Sequence, residues 1–431
     1  MSAFLRGSTP SRSKSISSGI KALAFGAGVL LLASCASQAP AEKPEDDDKP
    51  AATGRAADGV LTVGTVLPQT GNLSFLGPPE FAGVDLAVKE IGESDFEFDV
   101  KTVHKDSGDA DTDIATQSAK ELVDGAADIV VGAASSGVSF TFVDQLIEAG
   151  VVQISPANTS PDFSNYKDEG WYWRTAPSDV LQGRVLGNLM VGDGAESVGI
   201  IYINDPYGIG LQENATTAIE AAGGTVSKAV AYNTGDTQFA AIVDEVLATK
   251  PDAIAVIAFA ETASIIPELV NTQSFPSDKV YFVDGNLSNS YEFKKGTLDG
   301  AKGTLPGNFA SDEFRDRLLE VDPDLTDFSY SAESYDAVIV AALAAAQGKS
   351  DDPTTIRDNL LEVSSGGEKC TVFADCLKAI AAGTDIDYDG PSGPIEFDKN
   401  GDPTEAYIGI YQYGADNKYV PLNAEFGSLK E

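Results

Sequence analysis

Histidine, cysteine and basic residues are scarce in this chain of 431 residues: one His (His104), three Cys, and 29 Lys and Arg against 66 Asp and Glu. A single imidazole leaves little from which to build a hydrolase triad, and three thiols leave little for a zinc site. The formal net charge of −37 excludes a binder of the phosphate backbone of nucleic acid, which is gripped by clustered Lys and Arg. No apolar run reaches the roughly 18 to 20 residues that a membrane-spanning helix needs. What is present, 42% apolar and 22% charged residues, suffices to bury a core, and the length allows two or three ordinary domains.

Residues 1–21 carry Arg6, Arg12, Lys14 and Lys21 and no acid, residues 22–33 are apolar, and Ala33 and Ser34 lead into Cys35. That order is expected of a secretory signal, placed here at residues 1–34. Leu32, Ala33, Ser34 and Cys35 resemble the bacterial lipobox, whose Cys becomes the lipidated first residue of the mature chain. Two acyl chains suffice for stable anchoring. In the alternative, Cys35 is incidental to an ordinary signal. Removing four cations makes the exported part more acidic still, at −41. Residues 35–58, mostly Ala, Pro, Lys, Glu and Asp, read as a disordered acidic linker. The expected location is extracytoplasmic, on the bacterial cell membrane through the lipid anchor, at the cell surface or in the periplasm. Disulfides persist there, so Cys370 and Cys376 are expected to pair, a bridge worth about 2 to 3 kcal/mol for so short a loop. Two free thiols are the alternative.

From residue 61 onward short apolar runs alternate with segments of helical spacing. Strands are expected at 61–67, 96–103, 129–131, 151–155, 198–203, 226–232, 254–259 and 280–283, with helices between them, among them 114–122, 140–147, 180–190, 211–222, 239–248 and 262–270. Such alternation predicts parallel sheets covered by helices on both faces. It runs longer than one sheet wants and is interrupted at 175–179, so two lobes are expected. Ligands of open parallel sheets sit beyond the carboxyl ends of the strands. The loops there, 71–74, 132–137, 155–161, 204–208, 259–261 and 284–286, are mostly small and hydroxylated. They suit an anion held by backbone N–H groups and hydroxyls, although helix capping alone also favours such residues.

Several motifs fail on inspection. Gly348, Lys349 and Ser350 end like a phosphate-binding loop, but Leu343 occupies the place of its first Gly, so a helix C-terminus is expected. No Gly-x-Ser-x-Gly elbow occurs, and His104 falls at the end of an early strand. Asp385, Asp387, Asp389, Gly390 and Glu396 match the spacing of a calcium loop. Pro391 and Pro394 stand where its exit helix would begin and 395–398 reads as a strand, so no metal is assigned.

The most distinctive stretches are 63–71, 132–137, 154–161, 174–183, 205–208 and 390–402. In this order and spacing they resemble the substrate-binding proteins of branched-chain amino acid ABC transporters, the Leu/Ile/Val-binding type with the type I periplasmic binding protein fold. The resemblance covers residues 60–422. It implies an α/β chain of two doubly wound parallel-sheet lobes joined by a three-segment hinge. The lobes would be 59–175 with 307–402, and 178–303 with 406–422. The crossings would lie near 175–178, 303–307 and 402–406, and a last strand at 407–413 would complete the second lobe.

The resemblance also implies site residues. Ser136 would meet a ligand carboxylate. The Ala157 carbonyl, the Thr159 hydroxyl and, from the facing lobe, Asp284 would meet its ammonium, with Tyr207 and Phe259 closing as aromatics. Asp284 could instead be a plain turn residue before Gly285. Leu76 stands where relatives often carry an aromatic, which puts branched-chain selectivity in question. The expected function is capture of an amino-acid-like solute and its delivery to an ABC transporter permease, with no catalytic residue and no cofactor. The alternative is a sensor of the same fold, for an amino acid, amide, urea or small organic acid, that reports to a signalling protein.

Overall fold

The computed structural model describes residues 55–430; the expected signal, Cys35 and most of the expected linker lie outside them. Five strands, β1 (Val60–Leu67), β2 (Asp99–Asp106), β3 (Ile129–Gly132), β4 (Val152–Ser155) and β5 (Tyr172–Arg174), form an all-parallel sheet in the order β2-β1-β3-β4-β5. Parallel strands covered on both faces read as unbroken β-branched runs, as in β3, whose four residues are all buried. On one face Leu61, Val63, Ile129 and Ile154 pack against the helices Gly77–Gly92 and Ser331–Gly348. On the other, Val66 and Val130 meet the helices Ile114–Asp124 and Val143–Ala149. Each such aliphatic side chain contributes roughly 1.5 to 3 kcal/mol by leaving water.

β6 (Ser197–Ile203), β7 (Thr225–Tyr232), β8 (Ala253–Ile257), β9 (Val280–Phe282) and β10 (Lys302–Pro306) make the parallel part of a second sheet. A small third sheet, β11 (Glu368–Cys370), β12 (Ile386–Gly390) and β13 (Gly393–Pro394), packs beside the Ser331–Gly348 helix. β14 (Glu405–Tyr413) and β15 (Tyr419–Ser428) then join the second sheet as antiparallel strands, giving the order β15-β14-β10-β9-β8-β6-β7. The fold is therefore a two-lobed α/β architecture, as the resemblance implies, with one sheet wholly parallel and the other mixed.

Local sequence sets where the helices begin. Asp205 accepts the Gly208 N–H at 2.7 Å and Pro206 follows it, so Pro206–Ala221 starts with a cap and a pre-set φ. Ser178 caps Asp179–Gly192 in the same way through the Val180 N–H. These two helices lie close enough that a Cβ on Gly183 would sit 2.7 Å from the Ala215 nitrogen, so only glycine fits there.

The chain passes between lobes three times. It leaves the first at residues 175–178, after β5. Of the second crossing, expected near 303–307, residues 303–306 belong to β10, paired with both β9 and β14, so the crossing starts at Gly307. Gly307 has φ +94, and a Cβ there would fall 1.9 Å from the Glu333 carboxyl. The third crossing ends before Glu405, because Glu405 and Ala406 already belong to β14. Arg174, fully buried, grips Asp402 of this crossing with two bonds, Nε to Oδ1 at 2.6 Å and Nη2 to Oδ2 at 3.0 Å.

Several expectations move. β2 begins at Asp99, three residues later than the apolar pattern suggests, because Phe96 and Phe98 turn to each other and Phe96 to Phe373. Residues 395–398 are not a strand; they carry only the Phe397–Pro403 bridge. β15 extends the second sheet beyond the expected last strand, to Ser428. Gly348 does end a helix, with Lys349 in the left-handed region. Cys370 and Cys376 are bonded, their Cα atoms 5.5 Å apart. Among the described residues no helix is long and apolar enough to cross a membrane.

Candidate functional site

Between the lobes, beyond the carboxyl ends of the strands, lies a closed pocket to which both sheets contribute. Ser136, Ala157, Leu76, Tyr207, Phe259 and Asp284, all expected from the sequence, line it together. Thr159 does not; it is fully buried just behind the wall.

The first wall is built on the loops after β3 and β4. Ser136 opens the short helix Ser136–Ser139, whose cap is Ser135. Its Oγ accepts the Ser160 N–H at 3.2 Å, leaving the hydroxyl hydrogen to donate to a ligand. The Ala157 loop is held rigid from behind. The Asn158 amide donates to the carbonyls of Ala133 and Ala134 at 2.9 Å each, and Tyr172 donates to Asn158 Oδ1 at 3.0 Å. Arg174 donates to the carbonyls of Asn158 and Ser160 at 3.2 and 2.8 Å. The small residues of 155–161 thus let backbone groups be placed, which is what a site made of N–H and C=O groups requires.

The second wall carries aromatic rings and charge. Tyr207, at the start of its capped helix, stacks on Phe259 with ring centroids 5.4 Å apart. Asp284 follows β9 and is buried at 5% exposure. Its Oδ1 accepts from Gln182 Nε2 and the Tyr207 hydroxyl, both at 2.8 Å, and its Oδ2 from the Tyr330 hydroxyl at 2.8 Å. Tyr330 immediately precedes the Ser331–Gly348 helix of the first lobe, so this last bond joins the two lobes. Tyr330 stands at φ +58, an uncommon conformation for a residue with a bulky side chain.

The electrostatics is one-sided. No Lys or Arg forms an ion pair with Asp284 among the described residues. Burial pushes its carboxyl up, opposed by the bonds from Gln182, Tyr207 and Tyr330. Behind it stands Asp179, fully buried, with both carboxyl oxygens lacking a hydrogen-bond partner. Burial first, then the neighbouring Asp284, push Asp179 well above the ordinary carboxylate range. The Thr159 hydroxyl beside it is also unpartnered, while the Asp179 N–H donates to the Thr159 carbonyl at 2.7 Å. Two adjacent buried acids each disfavour the other's charge, and the Arg174 guanidinium, tied to Asp402, opposes this for Asp179 only in part.

At the mouth the lobes touch again. Asn72 Nδ2 donates to Glu261 Oε1 at 3.3 Å, and Asp205 lies near Gly137, its carboxyl raised to about 6 by burial. The closed pocket leaves only about 10 Å³ open to the centre of a water, so a solute enters only when the lobes part.

Asp179, Gln182 and Tyr330 are the residues that sequence reasoning missed. The first two lie in the distinctive 174–183 stretch three positions apart at a helix start, a spacing that aims both the same way, yet they read only as hinge and helix. Tyr330 lies in a stretch without periodicity. His104 sits away from the cleft, with Nε2 3.0 Å from Asp85 and Nδ1 3.0 Å from Thr65 Oγ1. Asp387 and Asp389 lie on β12 and both reach Lys369, at 2.9 and 3.0 Å, which is strand geometry and not that of a calcium loop.

Comparison with known proteins agrees with this geometry. The sequence profile described as "Periplasmic binding protein" matches residues 60–418. The chain is 28% identical over 366 residues to the chemotactic signal transduction system substrate-binding protein BasB of Halobacterium salinarum, covering 81% of this chain and 86% of that one. It is 25% identical over 381 residues to Leu/Ile/Val-binding protein homolog 1 of Brucella abortus, covering 85% and 95%. Its fold is similar to the crystal structure of the branched-chain amino acid transporter substrate-binding protein LivJ of Streptococcus pneumoniae in complex with isoleucine. There the TM-score is 0.69 at 20% identity, covering 86% and 99%.

Proposed function

Because the chain belongs to the periplasmic binding protein family, whose members are solute-binding receptors working outside the cytoplasm and not enzymes, we propose that it captures an amino acid between its lobes and hands it to an ABC transporter permease. Cys35, lipidated, would tether it to the membrane. The observation that carries the ligand class is the buried acid Asp284, backed by Asp179 and paired with no cation. An ammonium is the group that relieves such a site.

The ligand's carboxylate is taken by the first lobe, and its ammonium bridges the two. Its carboxylate is met by the Ser136 hydroxyl and nearby backbone N–H groups, and its ammonium by the Ala157 carbonyl and Asp284. Four or so charge-assisted bonds, at about 1.5 to 3 kcal/mol each, offset the loss of free motion and leave roughly the −8 kcal/mol of micromolar binding. Leu73, Leu76, Phe259 and Tyr207 receive an apolar side chain, which favours a small aliphatic amino acid. Only the closed form satisfies both charges, so closure is coupled to occupancy.

A second reading has specific support. The Halobacterium relative is named for chemotactic signal transduction, and the same clamp could report to a signalling protein instead of a permease. Calorimetric titration of the protein with L-amino acids, then amides, urea and organic acids, tests the ligand class. Micromolar binding of an aliphatic amino acid is expected; heat only from organic acids lacking an ammonium would overturn it. Pull-down of the loaded protein from membranes separates the roles, since a permease partner supports transport and a receptor partner supports sensing.

A further inference from the structure

A second, larger space lies between the lobes near the hinge. It opens about 270 Å³ to water centres, against about 10 Å³ in the pocket described above, and Tyr330 forms part of the wall of each. Three polar side chains face it without a protein partner. Arg315, on the first-lobe helix Asp312–Val321, rests 5.1 Å over the Phe328 ring and makes no ion pair or hydrogen bond among the described residues. Its Nε is buried and unpartnered, in a chain with more than two acids for every base. Glu333, 3% exposed, has no side-chain hydrogen bond, and burial pushes its carboxyl well up. Tyr411, from β14 of the second lobe, is 8% exposed, and its hydroxyl likewise bonds to nothing in the described protein.

We propose that this cavity is a second solute site and takes a small monocarboxylate, its two oxygens on the Arg315 guanidinium and its body between the lobes. A planar fork with free N–H groups matches a carboxylate, and the Tyr411 hydroxyl on the opposite side completes its shell. A single negative charge is all the site tolerates, because Asp327 stands at its edge, held by the Ser329 N–H and the Tyr419 hydroxyl. Leu305, Phe328 and Pro421 supply an apolar lining for a short carbon chain or a ring. Arg315, Glu333 and Tyr411 do not line the first pocket, so the site stands independently of the amino-acid reading even though Tyr330 borders both.

The test titrates the full-length protein with acetate, L-lactate and benzoate, following saturation-transfer NMR and heat. At least one should bind with a Kd of about 1 mM or tighter. Arg315→Gln should weaken that binding at least tenfold while leaving amino-acid affinity within threefold of wild type, and Ser136→Ala should leave the monocarboxylate untouched. Arg315→Lys, which keeps the charge but loses the fork, should give an intermediate loss, and thermal melts of both variants check folding. The proposal is overturned if none of the three probes binds at about 10 mM. It is equally overturned if their binding is lost in Ser136→Ala but not in Arg315→Gln, which would place them in the first pocket. Monocarboxylate binding that needs Arg315 in a protein that ignores amino acids would support this site while removing the earlier reading.

Discussion

The first sheet offers the cleft neutral groups, the Ser136 hydroxyl and the Ala157 carbonyl, on loops that Asn158 and Arg174 hold from behind. The second offers Asp284 and two stacked rings, and behind the acid stands another, Asp179. This contrast of walls is the ground on which a two-ended solute is proposed as the occupant. A neutral wall accepts an anion without repulsion, and an acidic wall rejects it. Either wall alone binds half a zwitterion, and the open form can therefore hold its ligand only weakly.

The sharpest way to break the contrast is to remove its charge. Asp284→Ala should lower amino-acid affinity by more than a hundredfold, about 3 kcal/mol or more, in calorimetry, with the circular dichroism spectrum retained. Unchanged affinity would mean that the acidic wall does not read an ammonium. Ser136→Ala attacks the neutral wall and should cost about 1.5 to 3 kcal/mol of affinity, and a loss well under 0.5 kcal/mol would move the carboxylate elsewhere. Tyr330→Phe leaves both walls in place but cuts one of the hydrogen bonds between the lobes, the bond to Asp284 Oδ2. It should cost about 1 kcal/mol, mostly as faster release in stopped-flow measurements, and slower release would contradict a closing role.

The smallest expected effect concerns pH. The Asp205 carboxyl at the mouth is raised from 3.8 to about 6 in the folded protein, so between those values the native state holds more protons than the unfolded state. Its contribution to stability is thus full below about 4 and declines as pH rises to about 6. Asp205→Asn should flatten that part of a urea-midpoint profile, and a profile that keeps its slope would assign the effect to other acids.

Much of this was legible before any coordinates. Alternating apolar runs and helical spacing mark both sheets, because buried parallel strands and their covering helices leave strong local patterns. The antiparallel β15 left none, since Val420, Leu422 and Phe426 lie exposed on an edge strand and no burial disciplines their order. At the site, Ser136, Ala157, Tyr207, Phe259 and Asp284 stood at strand ends where ligands are looked for. Tyr330 escaped because its role depends on an arrangement between lobes, with Asp284 46 residues away in sequence. Asp179 and Gln182 escaped because a helix start explains an Asp and a Gln without any ligand.

The salt link between Arg174 and Asp402 has a mechanical corollary. It fastens the third connecting strap to the edge of the first sheet, where the Arg174 N–H also meets the Gly401 carbonyl at 3.1 Å. Two of the three straps are thereby riveted together on one side, so the lobes should swing about a single axis instead of twisting or sliding. A clamp with one degree of freedom returns to the same shut position each time, which is what any membrane partner that recognises the shut form would need to find.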